Sequence, residues 1–545
     1  MNIATCDLET TTDINDCRVW AVGFCDINTL EFNYSNTIDY FFKFAINYNK
    51  IYIHNLKFDG EFLIAELFKR GYKHTKSKRV NVCEFSTLIS DMGQYYNICI
   101  NINEKIVNIY DSLKLLPFTV EKIAKMFKLP ILKGEIDYNK YRPNGYIIPQ
   151  NEVDYLKNDC EIIARALKIQ FEQNLNKITI GSNALNDYKG IIGKKKFERN
   201  FPALEYDAKL RKSYKGGFTY LNPKYAGVTI GKGIVLDVNS LYPAMMYFKN
   251  LPYGEGQYFT GEYKEDKIYN TYIQNFECEF ELKENKIPTI QLKGNYAYKP
   301  TQYITKSEGI EQLTLTNVDF KLFLENYNVC NLYFYDGYKF KSTNKMFKPY
   351  IDKWMEIKIK AEQEGNGAMR TLAKLMLNNL YGKFSTNPLK RRKIPYYDSR
   401  VRYRLDEPEL TKGLYLPVGA FITSYARETT IRSAMKVYDR FVYSDTDSLH
   451  LIGEELPDNL KIDKYNLGEW KHESTFTRAK FLRAKTYIEE IDGELKITCA
   501  GMPKRCHDQV TFNNFNVGAE YTGKLIPKHV EGGVVLEDTT FVIKG

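Results

Sequence analysis

Two aspartates, Asp445 and Asp447, stand one residue apart in VYSDTDSLHL, between apolar flanks of the kind that pair as a hairpin. Like charges held that close at a turn repel, so the pattern implies a cation that neutralises them. A third acid, Asp237 in LDVNSLYP, ends a strand-like apolar run over residues 233–236. Three carboxylates from two segments suit two divalent ions held against a triphosphate. Between them, LAKLMLNNLYGKF spaces Lys374, Asn378 and Tyr381 at i, i+4 and i+7, which is one face of a helix. A lysine there can meet phosphate, and an aromatic ring farther along can pack on a sugar or base. The plainer alternative is an amphipathic helix with a polar face.

A second acidic set lies near the N-terminus. CDLETTT puts Asp7 and Glu9 on one face of a strand, because side chains at i and i+2 point the same way. Asp59, in HNLKFDGEF, follows a strand over residues 51–54, and Tyr155 and Asp159 in DYLKNDCEI are four apart on a helix. Gathered together, four carboxylates need cations. Two divalent ions about 4 Å apart would activate a water and stabilise a leaving oxygen, the chemistry of phosphodiester hydrolysis. Tyr155 is placed to orient that water.

The elements that must carry these residues follow from periodicity. Strands over residues 2–8, 19–26, 51–54 and 105–110, then a helix over 151–175, make an N-terminal α/β unit. A polar stretch, 181–196, is expected as a linker. A larger α+β region follows, with helices within 345–384 and 420–438 and a β-leaning insertion over 250–341.

With 545 residues, 43% hydrophobic and 26% charged, the chain is long enough for several domains. No stretch approaches the ~20 apolar residues of a bilayer span. Acids in MNIATCDLETTT, where a secretory leader would be basic and then apolar, point to a cytoplasmic protein. The ten cysteines are scattered without a CxxC pair, so they read as reduced thiols; Cys499, Cys506 and His507 form the one cluster, read the same way. The net charge of +10 suggests a polyanionic partner. Lys390, Arg391, Arg392, Lys393, Arg400, Arg402 and Arg404 crowd one tyrosine-containing segment, which is either a nucleic-acid contact or a solvated basic loop.

Taken in order, these motifs resemble those of family B DNA polymerases with an attached 3′–5′ proofreading exonuclease. The exonuclease motifs DxE, NxxxFD and YxxxD are matched by Asp7 and Glu9, by Asn55, Phe58 and Asp59 (with one residue fewer after Asn55), and by Tyr155 and Asp159. The polymerase motifs DxxSLYP, KxxxNxxYG and YxDTDS are matched by residues 237–243, 374–382 and 443–448, and KxY by Lys485 and Tyr487. SYKGGF, with Tyr214, Gly216 and Gly217, matches the YxGG motif that guides template between the two sites. Length, the absence of a C-terminal cysteine cluster and two insertions narrow the resemblance to the protein-primed polymerases of small tailed phages (the phi-twenty-nine type).

That resemblance implies an RNase H-like α/β exonuclease domain over 1–178, followed by a right-hand α+β polymerase domain over 179–545. Within the latter it implies a palm at 179–248 and 416–500, a terminal-protein insertion at 249–345, fingers at 346–384, a second insertion at 385–415 and a thumb at 501–545. It further implies two Mg²⁺ or Mn²⁺ ions per active site, held by Asp7, Glu9, Asp59 and Asp159 in one and by Asp237, Asp447, the Val238 carbonyl and, nearer the primer end, Asp445 in the other. Arg370, Lys374, Asn378, Tyr381 and Lys383 would meet the nucleotide, and Tyr242 would exclude a ribose 2′-OH. Arg370 stands where a Lys is usual and Ser444 where a Cys is common. Lys133 matches an exonuclease lysine with Tyr138 close by. His54, Ser112 and Leu113 match contacts to single-stranded DNA or terminal protein. Lys485 and Tyr487 would hold the primer terminus.

The partners implied are DNA template and primer, dNTPs, a terminal protein as primer and a single-stranded-DNA-binding protein. The setting implied is a monomer replicating a phage genome with strand displacement in the bacterial host cytoplasm. Rival readings are a dedicated nuclease with a DNA-binding C-terminal region, a non-enzymatic nucleic-acid scaffold and a DNA-primed repair polymerase.

Overall fold

The first strand is Ile3–Thr10, and its alternation sets the architecture of the N-terminal half. Ala4, Cys6 and Leu8 enter an apolar cluster on one face, while Thr5, Asp7 and Glu9 take the other. The computed structural model describes residues 2–292 and 302–545. Ile3–Thr10 lies inside an eight-stranded mixed sheet, antiparallel to Val19–Asp26 and parallel to Lys50–Ile53, which is parallel in turn to Lys105–Asp111. Helix Leu56–Lys69 packs its Leu56, Phe62 and Leu63 into the cluster on the Cys6 side. Helix Gln150–Glu172 covers the Thr5 side, where the Thr5 hydroxyl donates to the Cys160 carbonyl at 2.8 Å. The side chains of Asp7 and Glu9 therefore face the helix that carries Tyr155 and Asp159.

Residues 181–196, expected as a linker, are instead mainly helical, over Ile180–Ile192. The Thr179 side chain caps the first turn by accepting from Ser182 N, and Ile180, Ala184 and Tyr188 form a buried stripe at i, i+4 and i+8. Gly193, at φ +84, ends the helix. The Gly-Ser-Asn at its start looks like loop only if the capping threonine goes unnoticed.

The second region is built on a five-stranded sheet ordered Trp470–Phe476, Gly233–Val238, Ser448–Ile452, Phe441–Asp445 and Thr219–Leu221. Helix Leu416–Lys436 is buried along much of its length against this body. Helices Lys348–Gln363 and Gly367–Phe384 form an antiparallel pair. The chain reverses between them at Gly365 (φ +66), and the Asn366 side chain caps the second helix, which fixes the register just upstream of Arg370.

The first insertion is a four-stranded sheet, Leu251–Thr260, Tyr327–Thr343, Thr271–Leu282 and Glu311–Thr316, with helix Asn317–Asn326. Residues 293–301 of that expected insertion lie outside the described residues. The basic insertion forms two small ribbons, Leu389–Lys390 with Glu409–Leu410 and Lys393–Tyr397 with Val401–Leu405. The chain ends in the hairpin Glu520–Val530 and Gly533–Val542. All ten thiols are free. Among the described residues no helix is long and apolar enough to cross a membrane.

One buried ion pair fastens the first insertion to the body. Asp319 accepts from Arg427 Nη2 at 2.6 Å and from the Ser424 hydroxyl at 2.6 Å, with Asp319 8% and Arg427 3% exposed. Burial alone would raise the Asp319 carboxyl, but the guanidinium overrides it and holds the pKa below the usual carboxylate range. Arg427 Nη1 also donates to the Lys215 and Gly216 carbonyls, both at 2.7 Å. Asp319→Ala would leave a buried cation with half its partners, a loss of about 3–5 kcal/mol. Calorimetry of the variant should show the transition of this region lowered by several degrees; an unchanged thermogram would contradict the anchoring role.

Candidate active sites

The N-terminal site is assembled by the strand–helix junctions of the mixed sheet. Asn55, in the left-handed region at φ +64, lets the chain turn from strand Lys50–Ile53 straight into helix Leu56–Lys69. The buried Asp111 carboxylate fixes that turn, accepting from Asn55 N at 3.0 Å, Leu56 N at 3.3 Å and Leu113 N at 3.0 Å. Asp59 consequently sits in the first turn of its helix, beside Asp7.

A cavity of about 540 Å³ is lined by Asp7, Glu9, His54, Asn55, Phe58, Asp59, Lys133, Tyr138, Tyr155 and Asp159. Burial, then the charge of Asp159, raises the Asp7 carboxyl to about 7 despite Lys133. Burial and then Asp7 raise Glu9 and Asp59 well above the carboxylate range. Lys133 pairs with Asp159 Oδ2. Burial works against the Lys133 charge, but Asp159 outweighs it and the ammonium is held above its ordinary pKa. Asp159 Oδ1 is buried without a hydrogen-bond partner among the described residues. Tyr155 OH and Tyr138 OH are 2.7 Å apart, and burial followed by Asp159 raises Tyr155, keeping it a neutral hydroxyl.

Two of the expected contact residues form one side of this cavity, His54 in its lining and Ser112 behind it. Ser112 is fully buried, hydrogen-bonded to His54 Nδ1 (3.0 Å) and the Ile53 carbonyl (3.3 Å), so its side chain supports His54 from behind. His54 has both ring nitrogens engaged, Nε2 with the Phe118 carbonyl at 2.8 Å, which makes its ring a fixed wall. Leu113 is partly exposed beside it.

The second site forms where strands Gly233–Val238, Phe441–Asp445 and Ser448–Ile452 meet. Ser448 lies across from both Asp237 and Asp445, and Lys471 lies across from Asp237. The tip of the hairpin is held from several sides. Thr446 is left-handed at φ +62; its N–H donates to the Phe218 carbonyl (2.6 Å) and its carbonyl accepts from the Thr430 hydroxyl (2.8 Å). Val238 N donates to the Asp447 carbonyl at 2.8 Å, tying the two acid-bearing strands together. Gly217 is needed for clearance, since a Cβ there would lie 2.7 Å from the Thr446 side chain and 3.0 Å from Tyr242 OH.

These strands open onto a cavity of about 850 Å³ that also takes in Tyr242, Lys358, Arg370, Lys374, Asn378, Tyr381, Lys464 and Lys471. Burial, then Asp237, raises the Asp447 carboxyl to about 6. Burial raises Asp237 too, against the pull of Lys471, whose Nζ is 3.1 Å away. Asp445 differs from its neighbour: Lys485 Nζ donates to both its oxygens (2.8 and 2.7 Å) and Thr219 to one (3.0 Å). Tyr242 and Tyr381 stack with centroids 3.9 Å apart, and Tyr487 stacks on Phe481 at 5.0 Å. Lys358 is pushed below the ordinary lysine pKa by burial and by Arg370 and Lys374.

Lys383, expected at this cavity, does not reach it. It falls two residues past Tyr381, on a different face of the helix, and its Nζ donates to the Ser182 hydroxyl at 3.4 Å. Sequence reasoning missed Asp111, Lys358 and Lys471. None of the three carried a usable signal: Lys471 meets Asp237 only through the register of two strands far apart in sequence.

Both donor sets are hard oxygens whose negative charge lysines only partly offset, which suits Mg²⁺ or Mn²⁺. Among the described residues no three acid, His or Cys side chains close on one point as a finished cage. Open sites of this kind fit ions that keep waters and share a substrate phosphate.

The family model for type B DNA polymerases, organellar and viral, matches residues 42–465. The DNA polymerase of Bacillus phage phi29 is 48% identical over 572 aligned positions, covering 99% of this chain and 98% of that one. The solved structure of Phi29 DNA polymerase complexed with primer-template DNA and incoming nucleotide substrates superposes with a TM-score of 0.95, over 100% of both chains at 46% identity. That of Phi29 DNA polymerase complexed with single-stranded DNA gives 0.93 over the same extent. The fold is thus an α/β domain of the exonuclease type followed by a right-hand polymerase domain, and the chain belongs to the phage branch of the type B DNA polymerases.

Proposed function

We propose that the two cavities divide the work of a replicative phage polymerase: nucleotide addition at Asp237 and Asp447, and 3′–5′ excision at Asp7, Glu9, Asp59 and Asp159. The observation that carries this division is the distribution of cations. Lys358, Arg370, Lys374, Lys464 and Lys471 all line the larger cavity, as a triphosphate requires, whereas Lys133 and Arg505 are the cations of the smaller one. The complexes of the phi29 enzyme with primer-template DNA and with single-stranded DNA support the same pair of substrates. We assign 1–178 to excision and 179–545 to synthesis, with the palm, insertions, fingers and thumb bounded as expected from the sequence.

In synthesis, Asp237, Asp447 and the Val238 carbonyl would hold the divalent cations, which when bound promote loss of the hydroxyl proton and neutralise the departing pyrophosphate. Lys374 and Arg370 bind the triphosphate. Tyr242 backs the sugar, held in place by its stack on Tyr381. Lys485, anchored on Asp445, lies at the primer end. In excision, Tyr155 positions the attacking water as a hydrogen-bond donor, while Lys133 orients Asp159. Initiation uses a hydroxyl of a terminal protein docked on the first insertion. The docked basic insertion separates strands ahead of synthesis, inside the infected cell and alongside a single-stranded-DNA-binding protein.

Asp447→Ala should lower dNTP addition by about 10³-fold or more while leaving digestion of single strands intact, and Asp7→Ala with Glu9→Ala should do the reverse. Loss of both activities in a folded variant of either kind would refute the division. With template, labelled dNTP and terminal protein but no DNA primer, label should become covalently attached to that protein; its absence would favour a DNA-primed enzyme. A third prediction follows from Asp7. Its folded-state pKa is raised from 3.8 to about 7, so the native state holds this proton more tightly than the unfolded chain. The resulting stabilisation of metal-free protein is full below pH 3.8 and is lost as pH rises to about 7. Thermal scans in chelator should show that decline, Asp7→Asn should flatten it, and added Mg²⁺ should restore stability at the upper end.

A further inference from the structure

Glu61, two residues beyond Asp59, takes no part in either site. It is 5% exposed, and its neighbours come from three distant parts of the chain. Tyr95 of the N-terminal sheet donates to Oε1 at 2.7 Å, and Tyr403 of the basic insertion donates to Oε2 at 2.8 Å. His529, near the tip of the C-terminal hairpin, places Nδ1 3.4 Å from Oε2. The His529 ring thus packs against Glu61 without a hydrogen bond, its Nδ1 being buried and unpaired among the described residues.

The surroundings are built to the same end. Val401 of the basic insertion and Val534 of the C-terminal hairpin are members of the N-terminal apolar cluster. Gly532 and Gly533 allow the hairpin tip to approach closely, since a Cβ on Gly532 would lie 2.3 Å from the Cys17 carbonyl and one on Gly533 2.5 Å from the Phe62 ring. Arg400 Nη1 donates to the His529 carbonyl at 3.2 Å, linking insertion and hairpin directly. The docked hairpin supplies Leu525, Val535, Leu536 and Asp538 to the wall of the smaller cavity.

We propose that Glu61 is a clasp that holds the basic insertion and the C-terminal hairpin on the N-terminal domain, and so registers the hairpin as the outer wall of the excision cavity. A buried carboxylate is costly unless hydrogen-bonded, and of its two hydrogen-bond donors Tyr403 arrives only on docking, as does the His529 ring that covers it. When they leave, the carboxylate meets water instead, so the junction can open without stranding a charge. An Arg or Lys partner would make a tighter and less reversible join. Leu525 and Leu536, which line the same cavity as Phe58, present apolar surface to the terminal bases of a single-stranded 3′ end. Glu61 is therefore a positioning residue for excision, acting through the hairpin.

The functional half of this proposal rests on the excision reading of the smaller cavity; the clasp itself does not. Hydrogen exchange of the full chain separates the two. Glu61→Gln and Tyr403→Phe, which keep side-chain shape, should each speed exchange about tenfold over both 401–405 and 527–534, as expected for loss of a buried hydrogen bond that couples the segments. Unchanged exchange, or acceleration confined to the mutated segment, would overturn the clasp. Steady-state digestion of single strands by Tyr403→Phe should show KM raised several-fold with kcat retained, and extension of a short primer by one nucleotide unchanged. Faster exchange at both segments with an unaltered KM for single strands would overturn the positioning role. Absence of excision in the parent protein would refute the excision reading while leaving the exchange result to decide the clasp.

Discussion

The constraint on which this structure turns is the cost of crowding carboxylates where water is scarce. Burial raises the proton affinity of Asp7, Glu9, Asp59 and Asp159, and neighbouring carboxylates raise the first three further; in the second site Asp237 does the same to the buried Asp447. Such groups stay together only if the backbone leaves them no escape. In the N-terminal site that rigidity comes from Asp111, whose single carboxylate oxygen holds the strand-to-helix turn before Asp59. In the second it comes from the left-handed Thr446 and the hydrogen bonds that pin both its N–H and its carbonyl. Lysine supplies part of the missing charge: Lys133 on Asp159 and Lys471 on Asp237.

This explains what could be read from the sequence and what could not. The facing of Asp7 and Glu9, the hairpin acids and the Lys374–Asn378–Tyr381 stripe all follow from the fixed periods of strand and helix. Residues that hold these groups in place carry no such period. Asp111 looks like any strand-end acid, and Lys471 matters only through the register of a strand more than two hundred residues after Asp237. The helix Ile180–Ile192 was hidden because its capping threonine precedes a Gly-Ser-Asn run that imitates a loop. Lys383 fails for the opposite reason: a motif places it near Tyr381, but helical geometry turns it away.

The two acids of SDTDS also differ in their surroundings. Asp445 is already neutralised by the Lys485 ammonium and a threonine hydroxyl, whereas Asp447 keeps an elevated proton affinity and faces the cavity with Asp237. A group with unspent charge competes for a cation; one that is fully answered positions its partner. The pair is electrostatically affordable because only one member is left to be neutralised.

The same distinction governs how the large pieces are joined. Asp319 and Arg427 make a buried, fully ionic contact that ties the first insertion to the body and, through the Lys215 and Gly216 carbonyls, to the loop touching the turn at Thr446. Breaking it strands a charge, so that join behaves as part of the core. The junction at Glu61 uses tyrosine hydroxyls, with the His529 imidazole packed alongside, and every hydrogen bond that it loses can be replaced by water. An enzyme that must admit DNA between its parts needs both kinds of contact: one that fixes the geometry of synthesis, and one that can let go.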